Sequence, residues 1–176
     1  MNDEQNLLFH DLVAELLDLQ KNKVIYAYQN APKPKDTFAY IRYASIKDEV
    51  QSSFERTNQP GVNNIIGHKL LTCEIQVFAD NNRNACTMLY KLIDKLNKQS
   101  VINRLFKANI AIVDYNSVQD VSALLNNTHF TTRASVDIII RFTPTYLDDV
   151  GYIANVKITG NTAGKELPIE IITEEI

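Results

Sequence analysis

Few residues of this chain have the types and spacing that nucleophilic or metal chemistry needs. The three histidines are far apart in sequence: His10, His68 and His129. Cys73 and Cys86 lack the Cys-x-x-Cys spacing of metal sites. The fold could bring Cys73 to His68 or His129, but no Gly-x-Ser-x-Gly elbow is present, and a small core residue on a sheet face is the favoured interpretation. We predict no catalytic residue and no metal site.

The glycines and carboxylates give no better case for chemistry. The chain has five glycines: Gly61, Gly67, Gly151, Gly160 and Gly164. None opens a predicted helix, which excludes Rossmann and P-loop nucleotide sites, so no cofactor is predicted. Asp148 and Asp149 are adjacent on a predicted turn, where neighbouring side chains usually point apart. A turn or capping role is favoured over paired-carboxylate catalysis.

The bulk composition is that of one soluble globular domain. The chain has 176 residues, of which 45% are hydrophobic and 22% charged. A net charge of −3 gives no general attraction to nucleic acid. No apolar stretch approaches the roughly 20 residues that span a bilayer, and the polar start MNDEQN is unlike a secretory signal. We predict folding in a cytoplasm, with Cys73 and Cys86 as unpaired buried thiols.

Aromatic residues near the N-terminus could in principle stack on nucleic-acid bases. They are Tyr26, Tyr28, Phe38, Tyr40 and Tyr43. Stacking platforms also carry basic residues that hold the nucleic-acid backbone, and Arg42 is the one arginine or lysine among the aromatic residues of the predicted strand at 37–54. We therefore predict core and sheet packing for these side chains.

An alternating run gives the clearest structural signal. Residues 130–142 read FTTRASVDIIIRF, with apolar residues at the even positions except Thr132 and polar residues at the odd positions except Ile139. Alternation predicts an antiparallel strand with one buried face and one wet face. A strand about twice the usual length needs equally long neighbours. This favours a structural or assembly module over an enzyme with short loops around a pocket.

Shorter patterns predict the other elements. Helical patterns cover residues 3–20 with Asp3 as N-cap, residues 85–96 with a cap within 80–82, and residues 100–109 with Ser100 as cap. Strand patterns cover residues 24–29, 37–54, 71–79, 110–115, 129–143 and 150–159, the last as a core strand. The rest is predicted as a helical turn or loop at 119–127, a turn at 161–165 and an apolar-acidic tail at 166–176.

Together these elements predict an α/β fold of the α+β sandwich type. A mostly antiparallel β-sheet carries helices packed on one face. The strands at 37–54 and 71–79, joined by the polar loop 57–64, make an extended β-hairpin arm. Residues 1–160 are predicted as a single domain with an N-terminal helix, and residues 161–176 as a C-terminal extension.

Three segments carry a resemblance to a known family. They are QNAPKP (29–34) with FAYIR (38–42), VQDVSALL (118–125) with RASVD (133–137), and DDVGYI (148–153). In this order and spacing the chain resembles the phage neck or tail terminator proteins of contractile and related long-tailed phages. The resemblance covers residues 24–160.

The resemblance implies a virion protein without enzymatic activity. Similar proteins form a hexameric ring that caps the tail tube, stops its growth and supplies the surface on which the neck docks. The implied partners are further copies of the chain, the tail tube protein, neck and head-completion proteins, and the sheath where the tail contracts. Genome DNA would pass through the lumen without specific binding. The implied location is the tail and neck of the virion, with assembly in the host cytoplasm.

Exposed strand edges and a β-prone acidic tail suggest where copies of the chain meet, because both can pair by strand addition. We expect the hairpin around Pro60 and Gly61 and the segment LPIEII (167–172) to make contacts between subunits or with the tube. The candidate interface residues are Pro60, Gly61, Leu167, Pro168, Ile169, Ile171 and Ile172.

Other functions fit the same sequence. A tail tube or other structural tail protein can share a related β-rich fold, and it would stack where a terminator closes one ring. A small-molecule enzyme on an α+β fold lacks support because no catalytic constellation is present. A host adaptor that binds peptides at an exposed sheet edge would be distinguished by its gene neighbourhood.

Overall fold

The structure, a computed structural model, describes residues 1–28, 32–80, 83–125, 129–152, 155–162 and 165–172. The chain divides into two compact units. The sheet unit comprises Met1–Ser52 and Gly67–Pro144, and the second unit comprises Ser53–Ile66 and Thr145–Ile176. The predicted division into residues 1–160 and a C-terminal extension stays a prediction.

The described residues form three α-helices and ten strands. The helices are α1 (Asp3–Leu16), α2 (Ala85–Leu96) and α3 (Gln99–Lys107), with a 3₁₀ turn at Lys21–Lys23. The first strands are β1 (Val24–Tyr26), β2 (Phe38–Arg56), β3 (Val62–Ala79), β4 (Ile110–Tyr115) and β5 (Gln119–Asp120). The others are β6 (Ala123–Leu125), β7 (His129–Phe142), β8 (Thr145–Asp149), β9 (Asn155–Thr162) and β10 (Lys165–Ile172).

The main sheet is mixed and mostly antiparallel, and it confirms the predicted fold class. Its central order is β1-β2-β3-β7-β4, with β5 and β6 pairing with β7 and β8 pairing with β3. The pairs of β3 with β7 and of β7 with β4 are antiparallel, whereas β1 runs parallel to β2. Strands β9 and β10 form a separate antiparallel two-stranded sheet.

The predicted long antiparallel strand with one buried face is confirmed as β7. Along β7, the alternating residues Ala134, Val136, Ile138, Ile140 and Phe142 are all buried. Across the ladder, β3 places its own buried alternate residues opposite them, with the pairs Leu71–Ile140, Cys73–Ile138 and Ile75–Val136. One face of the two strands is therefore continuous core, packed with the buried residues of all three helices.

Helix ends differ from prediction because nearby side chains and backbone angles set them. Asn2, not Asp3, caps α1: its carboxamide accepts from the Gln5 amide while the Gln5 side chain accepts from the Asn2 amide. The predicted extension to residue 20 is wrong, since α1 ends at Leu16 and Asp18 adopts a left-handed φ of 55°.

The second and third helices show similar small shifts. Asn84 caps α2 by accepting from the Thr87 amide at 2.9 Å, so the predicted cap within residues 80–82 is wrong at Asp80, and residues 81 and 82 lie outside the described part. Helix α3 begins at Gln99 rather than after Ser100. Asn109 follows it with a φ of 55°, as expected of a residue that ends a helix.

Three predicted segments fold differently. The helical turn or loop at residues 119–127 is wrong as far as Leu125, because β5 and β6 pair with β7 beyond the end of β4; residues 126 and 127 are outside the described part. The prediction of a core strand at 150–159 is also wrong. Strand β8 ends at Asp149, and β9 pairs with β10 rather than with the described core strands. The tail at 166–176 forms a strand as far as Ile172, and residues 173–176 lie outside the described part.

Candidate assembly interface

The turn between β2 and β3, here called the hairpin tip (residues 57–61), is closed by local hydrogen bonds. The Thr57 hydroxyl donates to the Val62 carbonyl at 2.7 Å and accepts from the Gln59 amide at 3.1 Å. The Thr57 amide donates to the same Val62 carbonyl at 3.2 Å. Pro60 is exposed at this turn, and Gly61 has a φ of 75°, a left-handed conformation that glycine adopts without steric cost.

Gly61 lies against the chain segment that follows β8. Its carbonyl accepts from the Val150 amide at 2.9 Å, and a Cβ at this position would lie 2.6 Å from the carbonyl carbon of Gly151. Strand β8 pairs with β3 from Val62 opposite Asp149 onward, which continues this contact as a ladder. Of the predicted interface residues at the tip, Gly61 is thus committed to packing within the second unit, while Pro60 faces solvent.

Exposed apolar side chains are numerous near this tip. In the second unit, large apolar or aromatic residues with more than half of their surface exposed are Phe54, Tyr146, Leu147, Val150 and Tyr152. A large exposed apolar patch on a protein commonly marks a contact site for another macromolecule. The contact region expected around Pro60 and Gly61 therefore has apolar neighbours that sequence reasoning did not single out. The available signal was the pair Tyr146 and Leu147 in the β8 sequence TYLDD.

The other predicted interface segment lies in a defined strand. Residues 167–172 belong to β10, whose register with β9 runs from Lys165 opposite Thr162 to Ile172 opposite Asn155. This strand contains Leu167, Pro168, Ile169, Ile171 and Ile172. Their side chains lie outside the described part, so their role as interface residues stays a prediction.

The sheet face opposite the helices carries a chain of ion pairs and hydrogen bonds. The Arg42 guanidinium donates to the Glu74 carboxylate at 2.5 Å, and the Gln76 amide donates to the other oxygen of Glu74. Arg133 donates to the Gln76 side-chain oxygen at 2.6 Å and to the Tyr40 hydroxyl at 3.4 Å. Glu74 and Gln76 are buried, so these partners offset the desolvation of their polar groups.

Aromatic rings continue this polar network. Phe38 and Phe78 stack with centroids 4.5 Å apart and nearly parallel planes. Arg133 lies 4.8 Å from the Phe78 centroid, and the Lys33 ammonium lies just over 5 Å from both rings. Burial raises the pKa of the Tyr40 phenol, which therefore stays a neutral hydrogen-bond partner of Arg133 at physiological pH.

The predicted packing role of the aromatic set is confirmed for four of its five members. Tyr26 and Tyr43 donate their hydroxyls to Asn6 of α1, and Phe38 and Tyr40 belong to the network on the opposite face. Tyr28 is 87% exposed and does not pack in this way. Sequence reasoning did not predict the polar network of Glu74, Gln76 and Arg133. The available signal was that these residues occupy alternate positions on the solvent-facing sides of β3 and β7.

The residues first considered for chemistry are placed unfavourably for it. Cys73 is fully buried, and burial raises the pKa of its thiol, which disfavours a thiolate nucleophile. Both cysteines are free, as predicted, although Cys86 is only half-buried. Asp148 and Asp149 are consecutive residues of β8 and so point to opposite sides of the strand, rather than forming the predicted turn.

Within the described residues, no three His, Cys, Asp or Glu side chains are grouped closely enough to hold a metal ion. None of the helices in the described part has the length and apolar content to cross a bilayer.

Comparison with known proteins adds what geometry alone does not give. No curated protein matches the chain. The family model described as phage neck terminator protein matches residues 7–165, which is most of the chain and extends beyond the segments that carried the resemblance. This family is structural and not enzymatic. The chain therefore belongs to the phage neck terminator protein family.

Proposed function

We propose that the chain forms a closed ring, with six copies expected, that caps the tail tube of a long-tailed phage, stops its growth and joins the tail to the neck. The observation that carries this proposal is the family match over residues 7–165. The partners are further copies of the chain, the tail tube protein and the neck or head-completion proteins, with the sheath as a further neighbour if the tail contracts.

The two ends of the sheet support ring formation. A ring with cyclic symmetry needs a heterologous interface, in which one patch of a subunit meets a different patch of the next. In the sheet unit, β2 and β4 lie toward opposite ends of the strand order. Strand β1 pairs with β2 only from Ala39 to Ile41, so the outer edge of β2 beyond Ile41 has no strand partner in the described part of the chain.

The free part of β2 has the character of a contact surface. Ile46 and Val50 are both more than half exposed there. The rest of this segment is mostly polar and charged. A long exposed edge strand is nevertheless a template for pairing with another chain, and the ring would cover it.

The overall charge is compatible with passage of DNA. The net charge of −3 gives no general attraction to the phosphate backbone. A ring whose lumen holds DNA only transiently benefits from weak binding, because a strongly basic lumen would slow genome passage.

Removing the protein from an infection tests the capping role. We expect a phage with a stop codon early in this gene to make tail tubes of uncontrolled length that do not join to heads, because growth lacks its terminal ring. Tail lengths measured by negative-stain electron microscopy give the readout, and supplying the wild-type chain from a plasmid is the control. Tails of normal length joined to heads would contradict the proposal.

A further inference from the structure

A cavity of about 490 Å³ opens on the sheet face opposite the helices. Its walls include Tyr28, Tyr40, Arg42, Glu74, Gln76 and Arg133, all of which belong to the sheet unit. The cavity therefore lies beside the network of ion pairs and hydrogen bonds on this face. The side chains of that network decide which kind of group fits it.

Positive charge exceeds negative charge around this cavity. Arg42 is paired with Glu74 at 2.5 Å, so these two charges offset each other. Arg133 is half-buried and donates to Gln76 and Tyr40, which are both neutral. It forms no salt bridge within the described residues. Because a guanidinium group withdrawn from water is normally paired with a carboxylate or phosphate, the site favours an anionic group.

Lys33 adds to this surplus. Its ammonium lies 5.2 Å from the centroid of the Phe78 ring, which Arg133 also contacts. Lys33 forms no salt bridge in the described part of the chain either. Since the whole chain has a net charge of −3, the positive surplus is local, and it favours an acidic partner over a neutral one.

Tyr28 provides an exposed aromatic side chain at the wall of the cavity. It is 87% exposed, and its φ of 67° is a left-handed conformation that is unfavourable for a residue with a Cβ. Tyrosine is enriched at protein interfaces, because its ring gives a large contact area and its hydroxyl a hydrogen bond. The cavity thus combines a cation without a carboxylate partner and an aromatic ring that is open to contact.

We propose that this cavity receives strand β8 of the next copy of the chain, with the Asp148 carboxylate bound by Arg133 and the Tyr146 ring packed against Tyr28. The inference rests on the ring proposed above. It gives that ring two different patches, the cavity on one subunit and β8 on the next, as a heterologous interface requires.

Strand β8 carries the groups that complement the cavity. Tyr146 and Asp148 are two residues apart in the strand, so their side chains lie on the same face, roughly 7 Å apart. Tyr146 is 62% exposed, and neither Asp148 nor Asp149 forms a salt bridge within the described residues. Strand β8 pairs with β3, and no other strand of the described part pairs with it. It can therefore present an aromatic ring and a carboxylate together.

Charge distinguishes β8 from another exposed apolar surface of the chain. Phe106 on α3 is 77% exposed, but Lys98 and Lys107 lie at the two ends of that helix and form no salt bridge within the described residues. The positive surplus of the cavity would repel such a surface. In β8 the exposed apolar side chains lie beside Asp148 and Asp149 instead.

A double-cysteine chain tests the contact on assembled tails. In a Cys86→Ser background, the full-length chain carries both Tyr28→Cys and Tyr146→Cys and replaces the wild-type chain during phage assembly. Mild oxidation of purified tails is expected to link neighbouring copies into a ladder of multimers on a non-reducing denaturing gel, because the two positions would meet only between copies. A second chain, with Ala27→Cys and Tyr146→Cys, keeps the Tyr28 ring in case its loss weakens docking.

Matched variants test the position and the charge. Tyr90→Cys with Tyr146→Cys uses an exposed tyrosine of α2, on the helix-covered face of the sheet, and is expected to give no ladder. In the chain with Tyr28→Cys and Tyr146→Cys, Asp148→Asn is expected to lower the yield of linked multimers by about tenfold or more, because losing one partner of an interface charge pair weakens affinity by at least that factor. Asp149→Asn, on the other side of the strand, is expected to leave the yield unchanged.

The outcomes separate this inference from the ring itself. If the chain is present on tails but neither cavity pair gives a ladder, or if the disulfide forms only within single chains, the docking inference is overturned and the ring proposal stands. An equal ladder from the Tyr90 pair, or equal yields for Asp148→Asn and Asp149→Asn, would also overturn it. Absence of the wild-type chain from tails would refute the ring and this inference together.

Discussion

Replacing Ile138 with alanine is expected to lower the free energy of unfolding by about 2–5 kcal/mol. Ile138 is fully buried in β7, opposite Cys73 of β3 on one side and Tyr115 of β4 on the other. Removing its outer carbons leaves a cavity that two flanking strands restrain from collapsing, so the cost includes lost packing as well as lost apolar burial.

Urea unfolding followed by circular dichroism measures this effect. The matched control is Ile46→Ala, which removes the same atoms from a residue that is 58% exposed. A change within about 0.5 kcal/mol is expected for this surface site in the free chain. Equal midpoints for the two variants would show that β7 is not the packed centre of the sheet.

The Gly61→Ala variant is expected to open the hairpin tip. At a φ of 75°, an alanine costs about 1–2 kcal/mol through its backbone conformation alone. The added Cβ would also lie 2.6 Å from the Gly151 carbonyl carbon, a distance that requires the backbone to move. The hydrogen bond from the Val150 amide to the Gly61 carbonyl should therefore weaken.

Gly151 provides the matched control for that steric term. It has a similar φ of 68°, but a Cβ there would meet nothing within 4 Å. We expect Gly61→Ala to lower the free energy of unfolding by at least about 1 kcal/mol more than Gly151→Ala does, which is the lower end of the cost of overpacking. Hydrogen exchange at the Val150 amide reports the difference. Similar exchange rates in the two variants would mean that the close approach of Gly61 and Gly151 does not hold the tip together.

The fold could be predicted from sequence wherever one face of an element is buried in a regular pattern. Strand β7 and helix α2 follow nearly regular periods of two and 3.6 residues, so their positions were predicted to within one residue. Strands β5 and β6 are two and three residues long and exist because β7 extends past β4, a tertiary cause that no local pattern records.

Long-range pairing explains the other differences. The parallel contact of β1 with β2 and the β9–β10 sheet depend on which strands meet, whereas alternation predicts only that strands exist. The N-caps Asn2 and Asn84 instead depend on side-chain hydrogen bonds that several neighbouring polar residues could have made.

The candidate interface was predictable only in part. Pro60 and Gly61 were recognised as a turn, but the contact of Gly61 with Gly151 joins residues ninety positions apart in sequence. Tyr28 was predicted to pack with the other aromatic residues, but it is exposed at the wall of the cavity on the sheet face. That distinction requires the position of β1 in the sheet, because Tyr28 lies beyond the end of that strand at Tyr26.

Cryo-electron microscopy of the native phage particle tests the central claim most directly. The account predicts a single six-fold ring of this chain between the tail tube and the neck, with one copy contacting the next through different surfaces. Density for the chain repeated along the tube, or its absence from the particle, would contradict the capping role.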